Sequence, residues 1–340
     1  YVPNAFWQWN FRANVVALNV ETGQLIWKTY TTPSGYYGAA VDFGTTAIDR
    51  KSATVYVATG HNYAVPQAVL DCLAGGAAPQ ACMSAANHFN SVIALDLNTG
   101  QIKWSSRSSP TDVWNASCGF VTQDFLIPPG DNCPSGSGPA QGFAQGPMLL
   151  PPKKGDKSGK RLAAIGQKNG MFWAFDQTTG AAIWQTQVAP GGFTGGHGSA
   201  ADNKSIYVAV SNSGPTTNSL AAGARWTLQD GTTTTPGGWA ALRSGTGAVL
   251  WTTKDPVDSR SLAPVSLASD VVYGCNLVGR MYALSAATGA VLWSYDSGGA
   301  CVAAPSIVDG TVYWGNGGRS GLSILSFPGT KRLFAFGLPD

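Results

Sequence analysis

The sequence predicts an all-β fold, a propeller built from four-stranded blades. Three observations carry this. First, the stretch Val15–Trp27, VVALNVETGQLIW, recurs as Ser91–Trp104, Met171–Trp184, Trp239–Trp251 and Met281–Trp293. Second, the 340 residues include 43 Gly, 20 Pro and 12 Trp, with only 11% charged, which is a turn-rich β composition rather than a helical one. Third, the repeated tryptophans Trp27, Trp104, Trp184, Trp251 and Trp293 stand 77, 80, 67 and 42 residues apart. The shortest interval suits one four-stranded blade, and the longer ones read as blades with inserted loops.

Each copy has one internal logic. A small residue (Ala17, Ala94, Ala174, Ala241, Ala283) is followed five positions on by Thr-Gly and four further on by Trp. The first half alternates as a strand does. Thr-Gly falls where a tight turn needs positive φ, which glycine tolerates. An apolar pair and the Trp then open a return strand. The unit is a β-hairpin, and its Trp is expected to pack between blades. A β-sandwich would not repeat such a hairpin five times, and a WD-type propeller would end its strand in Trp-Asp.

Taken in order, residues 1–13 are aromatic and irregular, and the first hairpin ends at Trp27–Tyr30. A Gly-rich loop, Thr32–Phe43, leads to paired strands Thr45–Ile48 and Thr54–Thr59. Gly60–Asn90 is an insertion carrying Cys72 and Cys82, and the second hairpin follows it. Ser105–Pro152 is loop-rich. Leu162–Ile165 and Met171–Phe175 are strands about a Gly-Gln-Lys-Asn-Gly turn. Ser205–Ser211 is a strand, and Asp230–Gly238 a Thr/Gly-rich loop. Val271–Cys275 pairs with Arg280–Leu284, and Pro305–Val308 with Thr311–Trp314. Lys331–Leu338 begins a sixth copy that stops before its turn. No boundary interrupts the repeats, so residues 1–340 read as a single partial propeller with blades ending near Trp27, Trp104, Trp184, Trp251, Trp293 and Leu338.

A net charge of +3 implies no phosphate-binding surface, so no nucleic-acid partner is expected, and the Lys153–Lys160 run reads as a solvated loop. No apolar run is long enough to span a membrane as a helix. The chain opens on Tyr1 rather than Met and reads as mature or truncated. Six cysteines without a CxxC pair, with three histidines, favour disulfides and a secreted or otherwise oxidising setting over zinc. Proximity suggests Cys72–Cys82, Cys118–Cys133 and Cys275–Cys301, among about 15 conceivable pairings. Asn115-Ala-Ser117 and Asn203-Lys-Ser205 are glycosylation sequons.

The hairpin motif resembles the tryptophan-docking motif of the pyrroloquinoline quinone (PQQ) dehydrogenase propellers. Thr59–Pro66 (TGHNYAVP), Asn87–Asp96 (NHFNSVIALD), Asp112–Cys118 (DVWNASC) and Gly195–Asp202 (GGHGSAAD) resemble its polyvinyl-alcohol-dehydrogenase-like branch, including plant and algal relatives. The resemblance implies seven or eight blades. About five complete blades are expected here, the N-terminal ones being absent, with another chain or segment completing the ring.

By the same resemblance, the family stacks PQQ on a Trp beside Ca²⁺, and an Asp takes the alcohol proton. The stacking position falls on Phe43. The calcium-ligand position falls on His61, with Asn62 next to it. The position of the catalytic Asp falls on Asn115, three residues after Asp112. The family's cation on the quinone carbonyls matches Lys168, which precedes Asn169-Gly170. His88 and His197 lie in strings typical of the branch. The haem-attachment motif CxxCH is absent. Imidazole is a poor partner for hard Ca²⁺, and an amide takes no proton at neutral pH. These two replacements favour a secreted, non-catalytic scaffold or interaction module with an eroded cofactor site. The alternative is a PQQ- and calcium-dependent oxidoreductase acting on alcohols, polyols or sugars by hydride transfer.

Overall fold

A computed structural model describes residues 11–41, 45–118, 120–121, 126–127, 133–134, 138, 140–152, 160–191, 198–212, 224–317, 329–330 and 332–337. The first hairpin pairs Asn14–Leu18 with Leu25–Tyr30. Four antiparallel sheets of four strands follow, each running in chain order from first strand to last. The first comprises Ala47–Asp49, Thr54–Ala58, Ser91–Asp96 and Ile102–Arg107. The second comprises Met148–Leu150, Leu162–Gly166, Met171–Asp176 and Ala182–Gln187. The third comprises Ala200–Ala201, Ser205–Val210, Gly238–Arg243 and Val249–Lys254. The fourth comprises Ser266–Ala268, Val271–Cys275, Arg280–Ser285 and Val291–Asp296. A fifth sheet has three strands among the described residues: Ser306–Val308, Thr311–Asn316 and Arg332–Phe336. The described residues thus give the opening hairpin and five successive sheets consistent with propeller blades. Residues 1–10 and the expected last blade end at Leu338 lie outside the described residues.

Consecutive sheets bury their faces against each other, so the core is a series of layers. Val15 and Trp27 of the hairpin meet Val57 and Ile93 of the first sheet. Ala58 and Val92 meet Ile165 and Phe175 of the second, and Phe172 and Trp184 meet Val208 and Leu242 of the third. Tyr207 and Trp251 meet Val272 and Leu284 of the fourth, and Met281 meets Trp314 of the fifth. The second strands have a sheet over each face. Thr54–Ala58, Leu162–Gly166 and Ser205–Val210 are accordingly buried along their whole length and read as continuous apolar runs rather than alternating ones.

The repeated motif supplies the joint between layers. In every copy the small Ala pairs directly across from the Trp, from Ala17↔Trp27 to Ala283↔Trp293, and the register shifts just after it. The turn glycines Gly23, Gly100, Gly180, Gly247 and Gly289 have φ of 70°, 71°, 74°, 72° and 72°, the left-handed region that disfavours a Cβ. The indole of each Trp then reaches forward into the next sheet. Trp27 Nε1 donates to Leu97 O, Trp104 to Gln177 O, Trp184 to Ser244 O and Trp251 to Ala286 O, at 2.9–3.1 Å. In each case the acceptor lies three residues before the next turn glycine. The residue two after each Trp seals the contact: Thr29, Ser106, Thr186 and Thr253 hydroxyls donate to the carbonyls of Gly100, Gly180, Gly247 and Gly289.

The insertion after the second strand of the first sheet is more ordered than a loop. Helix Gln67–Ala74 starts after Pro66 and ends at Gly75, and the bond Cys72–Cys82 ties it to Pro79–Cys82. Val69 and Met83 join Tyr36, Val65, Phe89 and Val113 in a separate apolar cluster. The Thr/Gly-rich stretch also holds a short ribbon, Trp226–Thr227 with Thr233–Thr234. Cys118–Cys133 and Cys275–Cys301 are bonded as well, so all three proximity pairings form.

Candidate functional site

Three loops meet at one end of the first two sheets. The segment Thr59–Asn62 leaves the second strand of the first sheet. Gln167–Gly170 leaves the second strand of the second sheet. Asp112–Cys118 and Ala140–Ala144 lie between them. Asn62 N donates to Asp112 O at 3.0 Å and Trp114 N to Asn62 O at 2.8 Å. Phe143 N donates to Thr59 O, and Lys168 N to Gly142 O, each at 3.2 Å. Gly142 is pressed onto Gly60: a Cβ there would come 2.5 Å from Gly60 Cα and 3.0 Å from His61 N. The close glycine contact stacks the three loops and brings His61, Trp114, Asn115 and Lys168 to one place.

His61 is 4% exposed, and its carbonyl is fixed by Ala39 N at 2.8 Å. Tyr63 and Trp114 meet its ring edge-on, with centroids 5.3 and 5.5 Å away. Among the described residues neither ring nitrogen has a hydrogen-bond partner. Burial, aided by the positive charge of Lys168, holds its pKa well below the usual imidazole range, so the ring is neutral.

Lys168 is 5% exposed, and its ammonium charge acts on both His61 and Asp112. Asp112 is fully buried and accepts hydrogen bonds from Asn90 Nδ2, Gln141 N and Ala140 N at 2.7, 2.7 and 3.0 Å. Burial raises its pKa, while these bonds and Lys168 work the other way. Asp112 is the anchor that ties Asp112–Cys118 to Ala140–Ala144. Gln167 plays a similar part: its Nε2 donates to Ser108 Oγ and Gln141 O, and its Oε1 accepts from Trp173 Nε1. The sequence reading missed Asn90, Gln141 and Gln167. Gln141 and Gln167 each adjoin a glycine, whereas Asn90 sits in a glycine-free string before a strand.

The other expected site residues divide clearly. Asn62 is fully buried and locked in a reciprocal amide pair with Asn87, at 2.8 and 3.2 Å, with a further bond to Tyr37 O. It holds the loop. Asn115 is buried; its Nδ2 donates to Tyr63 O at 3.2 Å, and its Oδ1 accepts from Ser117 N at 3.0 Å. Asn169 shapes its turn, its Oδ1 accepting from Met171 N at 3.0 Å. His88 serves through its backbone, which bonds Thr31 O and the Thr59 hydroxyl. Asn203 is exposed on a turn. Phe43 and His197 lie outside the described residues.

These groups fit the two expected cofactors unequally. A buried lysine ammonium suits the carbonyl oxygens of an anionic quinone. Calcium asks for several oxygen ligands, and here the Asn62 and Asn115 oxygens are already engaged, while His61 offers nitrogen. Among the described residues no three His, Cys, Asp or Glu side chains are placed to share a cation. The calcium expected at His61 and Asn62 therefore has no ligand set in these residues.

Comparison with known proteins gives a consistent class. Residues 237–326 match a repeat model described as outer membrane protein assembly factor BamB. Over 91% of its length the chain is 27% identical to a polyvinylalcohol dehydrogenase of Sphingopyxis sp. (strain 113P3), covering 48% of that protein. A polyvinylalcohol dehydrogenase of Pseudomonas sp. is 26% identical over 86% of the chain, with 43% of that protein covered. The chain thus spans about half the length of the curated relatives it matches. The quinohemoprotein alcohol dehydrogenase of Comamonas testosteroni superposes on 91% of the chain and 53% of its own, with a TM-score of 0.57 at 18% identity. A europium-containing methanol dehydrogenase superposes on 92% of the chain and 63% of its own, with a TM-score of 0.56 at 13% identity. At such identities these two describe the fold.

The chain is similar in fold to propellers of the quinoprotein-dehydrogenase kind. Within that kind, its sequence likeness runs to polyvinylalcohol dehydrogenases along nearly its whole length.

Proposed function

We propose that this chain forms the site-bearing part of a secreted or periplasmic oxidoreductase that oxidises alcohols or polyols, with PQQ as the hydride acceptor. The observation that carries the reading is the buried Lys168, held at Gly142 O where that loop presses on Gly60, with its charge acting on His61. A buried positive charge next to a neutral imidazole suits a site for a carbonyl-bearing, anionic cofactor. When bound, the quinone would supply the two-electron acceptor. Lys168 would hold positive charge at the reducing carbonyl, Trp114 and Tyr63 would wall off water, and Asn115 would fix the loop carrying His61 through Tyr63 O. The three disulfides suit an oxidising compartment, and no helix among the described residues is long and apolar enough to cross a membrane.

A second reading, a non-catalytic scaffold, draws on the engaged Asn62 and Asn115. Binding separates the two. Purified chain is titrated with PQQ, with and without calcium, and dye reduction is followed with ethanol, glycerol and polyvinyl alcohol. The dehydrogenase reading expects turnover that falls by about 10²–10³ in Lys168→Ala, the usual loss for one stabilising contact at a developing oxyanion. No binding of PQQ and no turnover would leave the scaffold.

A further inference from the structure

We propose that His61 is the proton acceptor of the alcohol, taking the part that an amide at Asn115 cannot perform. This rests on the dehydrogenase reading above. The ground for it is geometric. A buried polar atom is nearly always hydrogen-bonded, yet among the described residues both nitrogens of the His61 ring lack a partner while the rest of the loop is tightly bonded. A neutral imidazole presents one lone pair and one N–H. An alcohol hydroxyl, one donor and an acceptor, is its direct complement.

The seat is also the right one. Asn115 stands where the family resemblance places the acid–base group, and its Nδ2 is bonded to Tyr63 O, two residues from His61. The imidazole therefore occupies the region from which a base would act. Tyr63 and Trp114 clamp the ring from its edges, so its direction is set before a substrate arrives. Lys168 is the charged group acting on it, and it acts in the direction that keeps the lone pair free. Asp112, also under the influence of Lys168, has its oxygens held by Asn90, Gln141 and Ala140.

The step balances. The alcohol O–H bond breaks and its proton passes to the imidazole lone pair. When bound, the quinone would supply the two-electron acceptor for the hydride that leaves the alcohol carbon, and that carbon would become a carbonyl. The imidazolium returns its proton to solvent before the next turnover.

The test compares wild type with His61→Gln and His61→Ala, each checked for folding by circular dichroism and for PQQ binding by absorbance. Expected for His61→Gln is a fall in kcat of about 10²–10⁴, the span of general-base catalysis. KM and PQQ affinity should be little changed, and the acid limb of the kcat profile lost. His61→Ala should regain at least about tenfold on addition of free imidazole. In wild type, nitrogen NMR of the His61 ring should shift when ethanol is added to the PQQ-loaded protein. His61→Gln turning over within about threefold of wild type, with the same acid limb, overturns this assignment alone. A wild-type chain that binds no PQQ and oxidises none of these alcohols overturns the dehydrogenase reading, and the assignment falls with it.

Discussion

Gly180 lies flat against the indole of Trp104, so close that a Cβ on it would stand 2.6 Å from Cε3 of the ring. The same approach recurs at Gly100 on Trp27, Gly247 on Trp184 and Gly289 on Trp251. Gly23 has the same backbone conformation, φ 70°, but among the described residues nothing lies within 4 Å of where its Cβ would be. The two causes of a glycine requirement are thereby separated. Gly23→Ala should cost about 1 kcal/mol, for the left-handed backbone alone. Gly180→Ala should cost about 1–3 kcal/mol more, because the ring must also move. Urea unfolding of the two variants measures the difference, and equal losses would contradict the stacking argument.

The docking tryptophans should differ in the same sense. Trp251 is 6% exposed and bonded to Ala286 O, whereas Trp293 is 37% exposed and packs on Phe336 and Tyr295. Trp251→Ala is expected to cost about 3–5 kcal/mol, as a buried large-to-small change does. Trp293→Ala should cost less than half of that. Thermal melts of the two variants side by side check the order.

Reduction should proceed in steps. Cys275 and Cys301 are fully buried in the layer between the fourth and fifth sheets, while Cys72 and Cys82 are half-buried at the edge of the helical insertion. Mild dithiothreitol followed by alkylation and peptide mapping should label Cys72 and Cys82 first. Replacing Cys275 and Cys301 by Ala should cost about 2–4 kcal/mol.

Of the two sequons, only one can carry a sugar on the folded chain. Asn203 is exposed, whereas the amide nitrogen of Asn115 is buried against Tyr63 O. A glycan at Asn115 would prevent the loop from seating. Expression through a eukaryotic secretory pathway should yield folded protein whose glycan mass disappears in Asn203→Gln and is unaffected by Asn115→Gln.

Acid should weaken the fold through two groups of opposite type. Asp49 is held down to about 2 by the Ser52 hydroxyl and by Arg161 of the next sheet. Its stabilisation is present above the unfolded carboxylate value near 3.9 and is lost as pH falls toward 2. The pKa of His61 is depressed, so the unfolded chain takes up its proton first, and stability declines as pH drops below about 6.5. Asp112, raised by burial, works in the contrary direction and is relieved by acid. Denaturant midpoints should fall below pH 6.5 less steeply in His61→Gln than in wild type.

The fold was legible because its signal is repetitive. Five copies of one hairpin state both the strand pairing and the small residue that must face each Trp. What the repeats could not state was the partner of each indole, since Gln177 and Ser244 share nothing but their place before a turn glycine. The helix Gln67–Ala74 was hidden because it is a single, short insertion without periodicity. Pro66 before it and Gly75 after it were the available signals. In the site, Lys168 and His61 could be located from neighbouring glycines. That Asn62 turns to Asn87, and that Asp112 is an anchor, depend on contacts across 22–29 residues that no local pattern records.

The forward reach of every indole gives the molecule a direction. Trp27 finishes its contacts only when Leu97 and Gly100 exist, Trp104 only with Gln177 and Gly180, and so on along the chain. During synthesis, each hairpin emerging from the ribosome must hold a large aromatic ring in water until its successor is made. Assembly is therefore vectorial, and the delay at each step is set by the inserted loops. The longest wait falls at Trp104, whose acceptor lies 73 residues downstream.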